Sequence, residues 1–227
     1  MEEINIESKK QKEDIVAKIN SLIDFTLLDA RATKSDLERL CDVAYKNEYY
    51  SVCVNPSNVA YVKGYIAKNL NNGLKVVSVV GFPLGANSTN IKLQEAKECL
   101  VDGADEIDFV INIGKVKEGN FDYVRNELKK MKKLVKNSIL KVIIETCYLD
   151  KNEIVKLAKI CAMTKVDFVK TSTGFGTAGA SAENIKIICD AVKGACKVKA
   201  SGGIRSRESA LLMIGAGADR IGTSHII

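Results

Sequence analysis

Short apolar or β-branched runs recur along the chain, separated by stretches whose apolar residues return every three or four positions. The runs lie at 22–28 (LIDFTLL), 51–54 (SVCV), 74–80 (LKVVSVV), 106–113 (EIDFVINI), 140–146 (LKVIIET), 166–171 (VDFVKT), 196–201 (CKVKAS) and 219–223 (DRIGT). Neighbouring runs start roughly 20–35 residues apart, the step of a β-helix-β unit. Helical signals fill the gaps. Ser35-Asp36-Leu37-Glu38 reads as a capping box before Leu37, Leu40, Cys41 and Ala44. Asp150 and Glu153 make a similar start before Ile154, Leu157, Ala158 and Cys161, and Ser181 precedes Ile185, Ile188, Cys189 and Val192. Gly103, Gly194, Gly215 and Gly217 sit where helices should return to strands.

Eight strand–helix alternations predict an α/β fold with a parallel sheet and helices outside, and eight is the number that closes a (β/α)8 TIM barrel. An open, doubly wound sheet would announce a Gly-rich turn after its first strand, and Ile23-Asp24-Phe25-Thr26-Leu27-Leu28 has none. The expectation is one barrel domain over residues 1–227, with an N-terminal helix over 9–20 before strand one. Strand eight falls so near Ile227 that a shortened C-terminus, without the eighth helix, is also expected.

Side chains alternate along a strand. If Ile107, Phe109 and Ile111 pack on helices, then Glu106, Asp108, Val110 and Asn112 point into the barrel. The same split sends Asp24 and Thr26 inward on strand one, Cys53 on strand two and Lys199 on strand seven. Lys170 follows the apolar run Asp167-Phe168-Val169, where alternation is less clean. Buried charges are costly unless paired, so several on one axis call for a reason, and the C-terminal mouth of a barrel is where function sits.

Composition narrows the class. Hydrophobic residues make up 46% of 227 and there are only 2 Pro, which excludes a disordered chain. The net charge of +6 suits an anionic metabolite. It does not predict a nucleic-acid surface, because Lys129, Lys130, Lys132, Lys133 and Lys136 read as a solvated helix face and acids are interspersed. Seven Cys without a CxxC pair, beside a single His, predict reduced thiols and no zinc site. The charged N-terminus is no signal peptide and no apolar run is long enough to span a membrane, so a cytoplasmic protein is expected.

Two lysines then stand out. Lys170 opens Thr-Ser-Thr-Gly-Phe-Gly-Thr-Ala-Gly, and Lys199 opens Ala-Ser-Gly-Gly-Ile-Arg. A bland reading lets both reach solvent, but each directly precedes a Gly-rich loop. An amine nucleophile must be neutral, and an unperturbed Lys (pKa about 10.4) is neutral only about once in 2,500 at pH 7. Desolvation and a second nearby cation lower that pKa, so Lys199 is placed to activate Lys170, with Asp108 as a proton carrier. Loops 174–179, 202–205 and 222–224 are rich in Gly and sit where barrels bind phosphate. His225 reads as structural or mouth-lining, Cys53 as a core thiol, and Glu145 and Thr146 as lining the mouth without chemistry. Gly81-Phe82-Pro83-Leu84-Gly85 is a loop suited to a wall or lid.

At these residues the sequence resembles the deoxyribose-phosphate aldolase family. The resemblance runs from Ile23-Asp24-Phe25-Thr26-Leu27-Leu28 to Gly222-Thr223-Ser224. It is carried by SVCVNP (51–56), VGFPLG (80–85), EIDFVIN (106–112), KTSTGF (170–175) and KASGGIR (199–205). It implies reversible cleavage of 2-deoxy-D-ribose 5-phosphate to acetaldehyde and D-glyceraldehyde 3-phosphate, in deoxyribonucleoside breakdown. Lys170 would form the imine, Lys199 perturb it and Asp108 join the proton relay. Gly174, Gly202, Gly203 and Ser224 match phosphate-holding positions, and Asp24 and Thr26 match substrate-side positions. No cofactor and no metal are implied, because the protonated imine is the electron sink; a homodimer is. The pattern departs from the family at Phe25 (commonly His), Asp29 (commonly Lys) and His225 (often Ser), and in lacking the tail that carries a proton-transferring Tyr in some members. Two other readings remain open on residues alone: a sugar-phosphate isomerase or epimerase on the same barrel, and a non-catalytic phosphate-binding barrel.

Overall fold

The computed structural model describes residues 19–70 and 73–227. Residues 9–18 of the helix expected before strand one lie outside these. Eight strands alternate with helices: β1 (Ile23–Leu27), α1 (Lys34–Lys46), β2 (Ser51–Val54), α2 (Val59–Asn69), β3 (Lys75–Val80), α3 (Thr89–Val101), β4 (Glu106–Val110), α4 (Ile113–Lys117), α5 (Phe121–Leu134), β5 (Ile139–Ile143), α6 (Lys151–Met163), β6 (Phe168–Lys170), α7 (Ala182–Val192), β7 (Lys197–Ser201), α8 (Arg207–Gly215) and β8 (Arg220–Thr223). Every neighbouring pair is parallel, and β1 pairs with β8 to close the barrel.

The helices start where side chains can satisfy their free N–H groups. Asp150 and Glu153 form the expected capping box of α6, and the Ser181 hydroxyl accepts from Asn184 N at the start of α7. The box expected at Ser35 and Glu38 is displaced. Thr33 is the cap of α1 and Asp36 its partner, so Ser35 already lies in the first turn. The helix starts two residues earlier than the Ser35 motif places it, because Thr33 carries an equivalent capping hydroxyl with Asp36 three residues on.

Two apolar regions form. The larger fills the space between strands and helices and takes Ile23, Phe25, Val52, Val54, Ile107, Phe109, Val142, Val169, Val198 and Ala200 from the outer strand faces. The smaller lies inside the barrel and consists of Cys53, Val77 and Val79, with Leu28 and Phe82 packed on it. The outward faces expected on β1, β2, β4 and β7 are observed, and Phe25, one departure from the family pattern, packs outward on Tyr49 with ring centroids 5.4 Å apart. The inner apolar patch is small because charged side chains occupy much of the rest of the barrel interior.

Candidate active site

The charged residues of the site arrive from six strands, β1 and β4 to β8. Register sets Lys141 beside Asp108, Lys170 beside Lys199, and Lys199 beside Arg220. Partners in a parallel pair point the same way, so all of these face the axis. Lys170 is therefore inward, as Lys199 and Asp108 are, although its own strand showed the pattern poorly.

Asp108 is the hub. Its Oδ2 accepts from Lys170 Nζ at 2.7 Å and from Lys199 Nζ at 2.8 Å, and its Oδ1 accepts from Lys141 Nζ at 2.8 Å. Lys199 also donates to Asp24 Oδ2 at 2.5 Å. The other Asp24 oxygen accepts from Ser51 Oγ at 2.6 Å and from Arg220 at 2.9 Å. Lys141 reaches Glu106 at 2.5 Å, and Tyr50 donates to Glu106 at 2.9 Å while its ring lies under the Arg220 guanidinium. Charges this deep persist only because each has partners.

The two predicted lysines are not equivalent. Burial lowers the Lys170 pKa below the ordinary lysine value, and the Lys199 charge adds to this against the pull of Asp108. Burial also acts on Lys199, but Asp108 and Asp24 outweigh it and hold that amine above its usual value. Asp108 is buried too, yet Lys141, Lys170 and Lys199 keep its carboxyl well below the usual range. The resulting arrangement is an easily deprotonated amine beside a fixed cation and a fixed carboxylate. Burial pushes the Cys53 thiol up to about 11, so it stays protonated, as a core thiol would.

Of these groups Lys170 alone lines the cavity at the C-terminal mouth, a space of about 590 Å³. Thr26, Gly174, Gly202, Gly203 and Ser224 line the same cavity, together with Asp29, Arg205 and His225. Asp24 does not reach it. That residue was expected on the substrate side, but it is fully buried and its carboxylate is occupied by Lys199, Ser51 and Arg220, so its place is beneath the site. The Asp29 charge is taken up by Arg31, which donates to it at 2.8, 3.1 and 2.9 Å. His225 Nδ1 lies 3.2 Å from Ser224 Oγ.

The loop after β6 packs on the loop after β7. Gly202 has φ +84°, and a Cβ there would fall 3.0 Å from Gly179 Cα and 3.3 Å from Gly174 Cα. Glu145 braces the first loop: it accepts from Thr173 N at 3.2 Å and from the Thr173 hydroxyl. Phe82, in the loop after β3, stands edge to face with Phe175, which lines the cavity, at 5.2 Å. Another cavity, about 420 Å³, lies between α5 and α6 and shares no residue with this site.

Comparison with known proteins decides the kinship. Residues 19–222 match the DeoC/LacD family of aldolases. The chain belongs to that family. As a DeoC/LacD aldolase it is a lyase on a TIM barrel. It is 52% identical over 207 residues to the deoxyribose-phosphate aldolase of Finegoldia magna, which covers 91% of this chain and 95% of that one. Among solved structures, the aldolase QR15 is 41% identical, with a TM-score of 0.86 over 91% of each chain. The deoxyribose phosphate aldolase of Aeropyrum pernix, described as a unique tetramer, is 35% identical with a TM-score of 0.84, covering 92% of this chain and 88% of that one.

Lys141, Glu106 and Arg220 were not singled out as site residues in the sequence. The signal was there. Leu140-Lys141-Val142-Ile143 and Asp219-Arg220-Ile221-Gly222 carry the same alternation that revealed Asp108. Lys141 stands before no Gly-rich loop, and Arg220 precedes only the single glycine of Gly222-Thr223-Ser224.

Proposed function

We propose that the protein reversibly cleaves 2-deoxy-D-ribose 5-phosphate to acetaldehyde and D-glyceraldehyde 3-phosphate, with Lys170 as the Schiff-base nucleophile. The observation that carries this is the position of Lys170. It is the one amine of the buried cluster that opens on the cavity, and its pKa is depressed. Family membership and the names of the relatives support the substrate.

The neutral Nζ attacks the aldehyde carbon C1 of the open-chain sugar, and loss of water leaves an iminium. Asp108, through water and with Lys199 holding its carboxylate, takes the proton of the C3 hydroxyl. The electrons of the C2–C3 bond pass into the iminium, C3 becomes the aldehyde carbon of glyceraldehyde 3-phosphate, and an enamine remains on Lys170. Protonation at C2 and hydrolysis release acetaldehyde and the free amine. The departing charge is met by a fixed cation and carboxylate that need no reorganisation.

We assign the phosphate to the backbone of Gly174, Gly202, Gly203 and Ser224, beside the start of α8, where N–H groups approach an anion closely. Thr26 lines the sugar side of the cavity. The reaction needs no cofactor, since the iminium accepts the electrons. We further infer one barrel domain over the chain and a cytoplasmic protein. Its seven cysteines are free, and no described helix is long and apolar enough to cross a membrane. A homodimer is the assembly the resemblance implies, and light scattering separates it from a tetramer like that of the Aeropyrum pernix relative.

Borohydride reduction in the presence of deoxyribose phosphate tests the central assignment. The adduct is expected on the Lys170 peptide, and Lys170→Ala is expected to lose at least about 10³-fold in turnover. An adduct elsewhere, or an unchanged mass, overturns it.

A further inference from the structure

Among the described residues, the barrel interior holds more cations than carboxylates. Asp24, Glu106 and Asp108 face Lys141, Lys199, Arg220 and Lys170, which is three against four. Three of the cations hold carboxylates that stay with them. Lys199 and Arg220 grip Asp24, and Lys141 grips Glu106 and one oxygen of Asp108. Lys170 has only Asp108 Oδ2, and it shares that atom with Lys199. A net charge in a space closed to water is unfavourable. Loss of one proton from Lys170 brings the cluster to neutrality, and Lys170 alone among the four cations opens on the cavity where a proton can leave.

We propose that Lys141 and Glu106, neither of which lines the substrate cavity, set the charge balance of the barrel interior and so leave Lys170 the one cation of the four held by a single, shared carboxylate oxygen. They are positioning residues, and the proposal rests on the reading of Lys170 as the nucleophile. The groups facing Lys170 are Asp108 from β4, Lys199 from β7 and Cys53 from β2. Lys141 on β5 and Asp24 on β1 lie one contact further on. Cys53 is a neutral thiol, so it leaves the count unchanged. Lys141 is fully buried and bridges all three carboxylates, at 2.8 Å to Asp108, 3.5 Å to Asp24 and 2.5 Å to Glu106. Removing its charge leaves three carboxylates against two fixed cations, and Lys170 then keeps its proton. Removing the charge of Glu106 leaves two against three, and Lys170 gives its proton up sooner.

The test measures the titration of Lys170 directly. The whole protein is labelled with trace acetic anhydride from pH 5 to 11, and acetylation of the Lys170 peptide is quantified. Borohydride trapping with acetaldehyde is run on the same samples. Glu106→Gln, which keeps an oxygen for the Tyr50 hydroxyl, is expected to move the labelling curve down by about one pH unit or more. Lys141→Met is expected to move it up by about as much. Glu106→Gln combined with Lys141→Met restores two against two and is expected to return the curve close to the parent. A merely structural role predicts no opposite shifts and no restoration. If Lys141→Met does not fold, Glu106→Gln carries the test alone. Curves that superimpose on the parent overturn the charge balance, as does a Lys141→Met shift that Glu106→Gln leaves in place. If Lys170 were not the nucleophile, trapping would leave it unlabelled while the acetylation curves still separated, so the two failures are distinct.

Discussion

At the scale of single residues, two lysines of identical chemistry acquire opposite properties from where they sit. Lys170 and Lys199 are register partners that share one oxygen of Asp108. Only Lys199 also holds Asp24, and only Lys170 faces the cavity. Asp108→Asn removes the shared carboxylate while keeping its shape. Turnover is expected to fall about 10²- to 10⁴-fold, the range for loss of a positioned proton carrier. Activity that needs neutral Lys170 rises with pH through that amine's pKa, and removing a nearby negative charge lowers it. The acid limb of kcat/KM should therefore move to lower pH in the same variant, and borohydride should still label Lys170. A pH–rate profile with single-turnover trapping checks both. Asp108 and Lys199 were legible in sequence because each is a charge between apolar neighbours within a strand, and Lys170 because it directly precedes a Gly-rich loop. Lys141 lies between apolar neighbours too, but what gives Lys141 and Arg220 a role is contact across the barrel with Asp24 and Glu106, and pairing across the axis leaves no mark in local sequence.

At the scale of elements, the strands carry the chemistry and the loops carry the grip. The loop after β6 touches the loop after β7 backbone to backbone, and Gly179 and Gly202 allow it. Gly202→Ala would combine a left-handed φ of +84° with a Cβ 3.0 Å from Gly179 Cα. The strain should cost about 1–2 kcal/mol. KM for deoxyribose phosphate is expected to rise about tenfold, the equivalent of 1.4 kcal/mol. The kinetic constants for unphosphorylated deoxyribose should change far less, and steady-state comparison of the two sugars measures this. Element boundaries were legible to within a few residues, since caps such as Asp150 and Ser181 are local chemistry. The start of α1 was misjudged because both Thr33 and Ser35 can cap, and only the path of the chain from β1 selects Thr33.

At the scale of the whole molecule, the buried ion cluster makes stability depend on pH at both ends. Asp24 and Asp108 titrate below the ordinary carboxylate value when folded, held down against burial by Lys141 and other cations. Their contribution is complete above about pH 5 and is lost as pH falls below about 4, where the unfolded chain binds protons first. Lys141 and Lys199 titrate above the ordinary lysine value, since their carboxylates outweigh burial. Their contribution is complete below about pH 10 and is lost as pH rises through the folded values. Thermal melts are expected to decline below about pH 5 and above about pH 10, with a slight rise between them as folded Lys170 loses a proton that the unfolded chain keeps; the acid decline should be shallower in Asp24→Asn. The alternation of apolar and polar positions by itself determined the number of strands, the parallel order and the inward face of β1, β2, β4 and β7. Those follow from burying one side of every element, a local requirement repeated eight times. Closure of the barrel decided the rest. It stacked side chains of strands distant in sequence on one axis, sank Asp24 below the site it was expected to line, and enclosed three carboxylates with four cations. In a space that excludes water, charge has to be balanced across the whole interior, and only the tertiary structure determines which groups enter that balance.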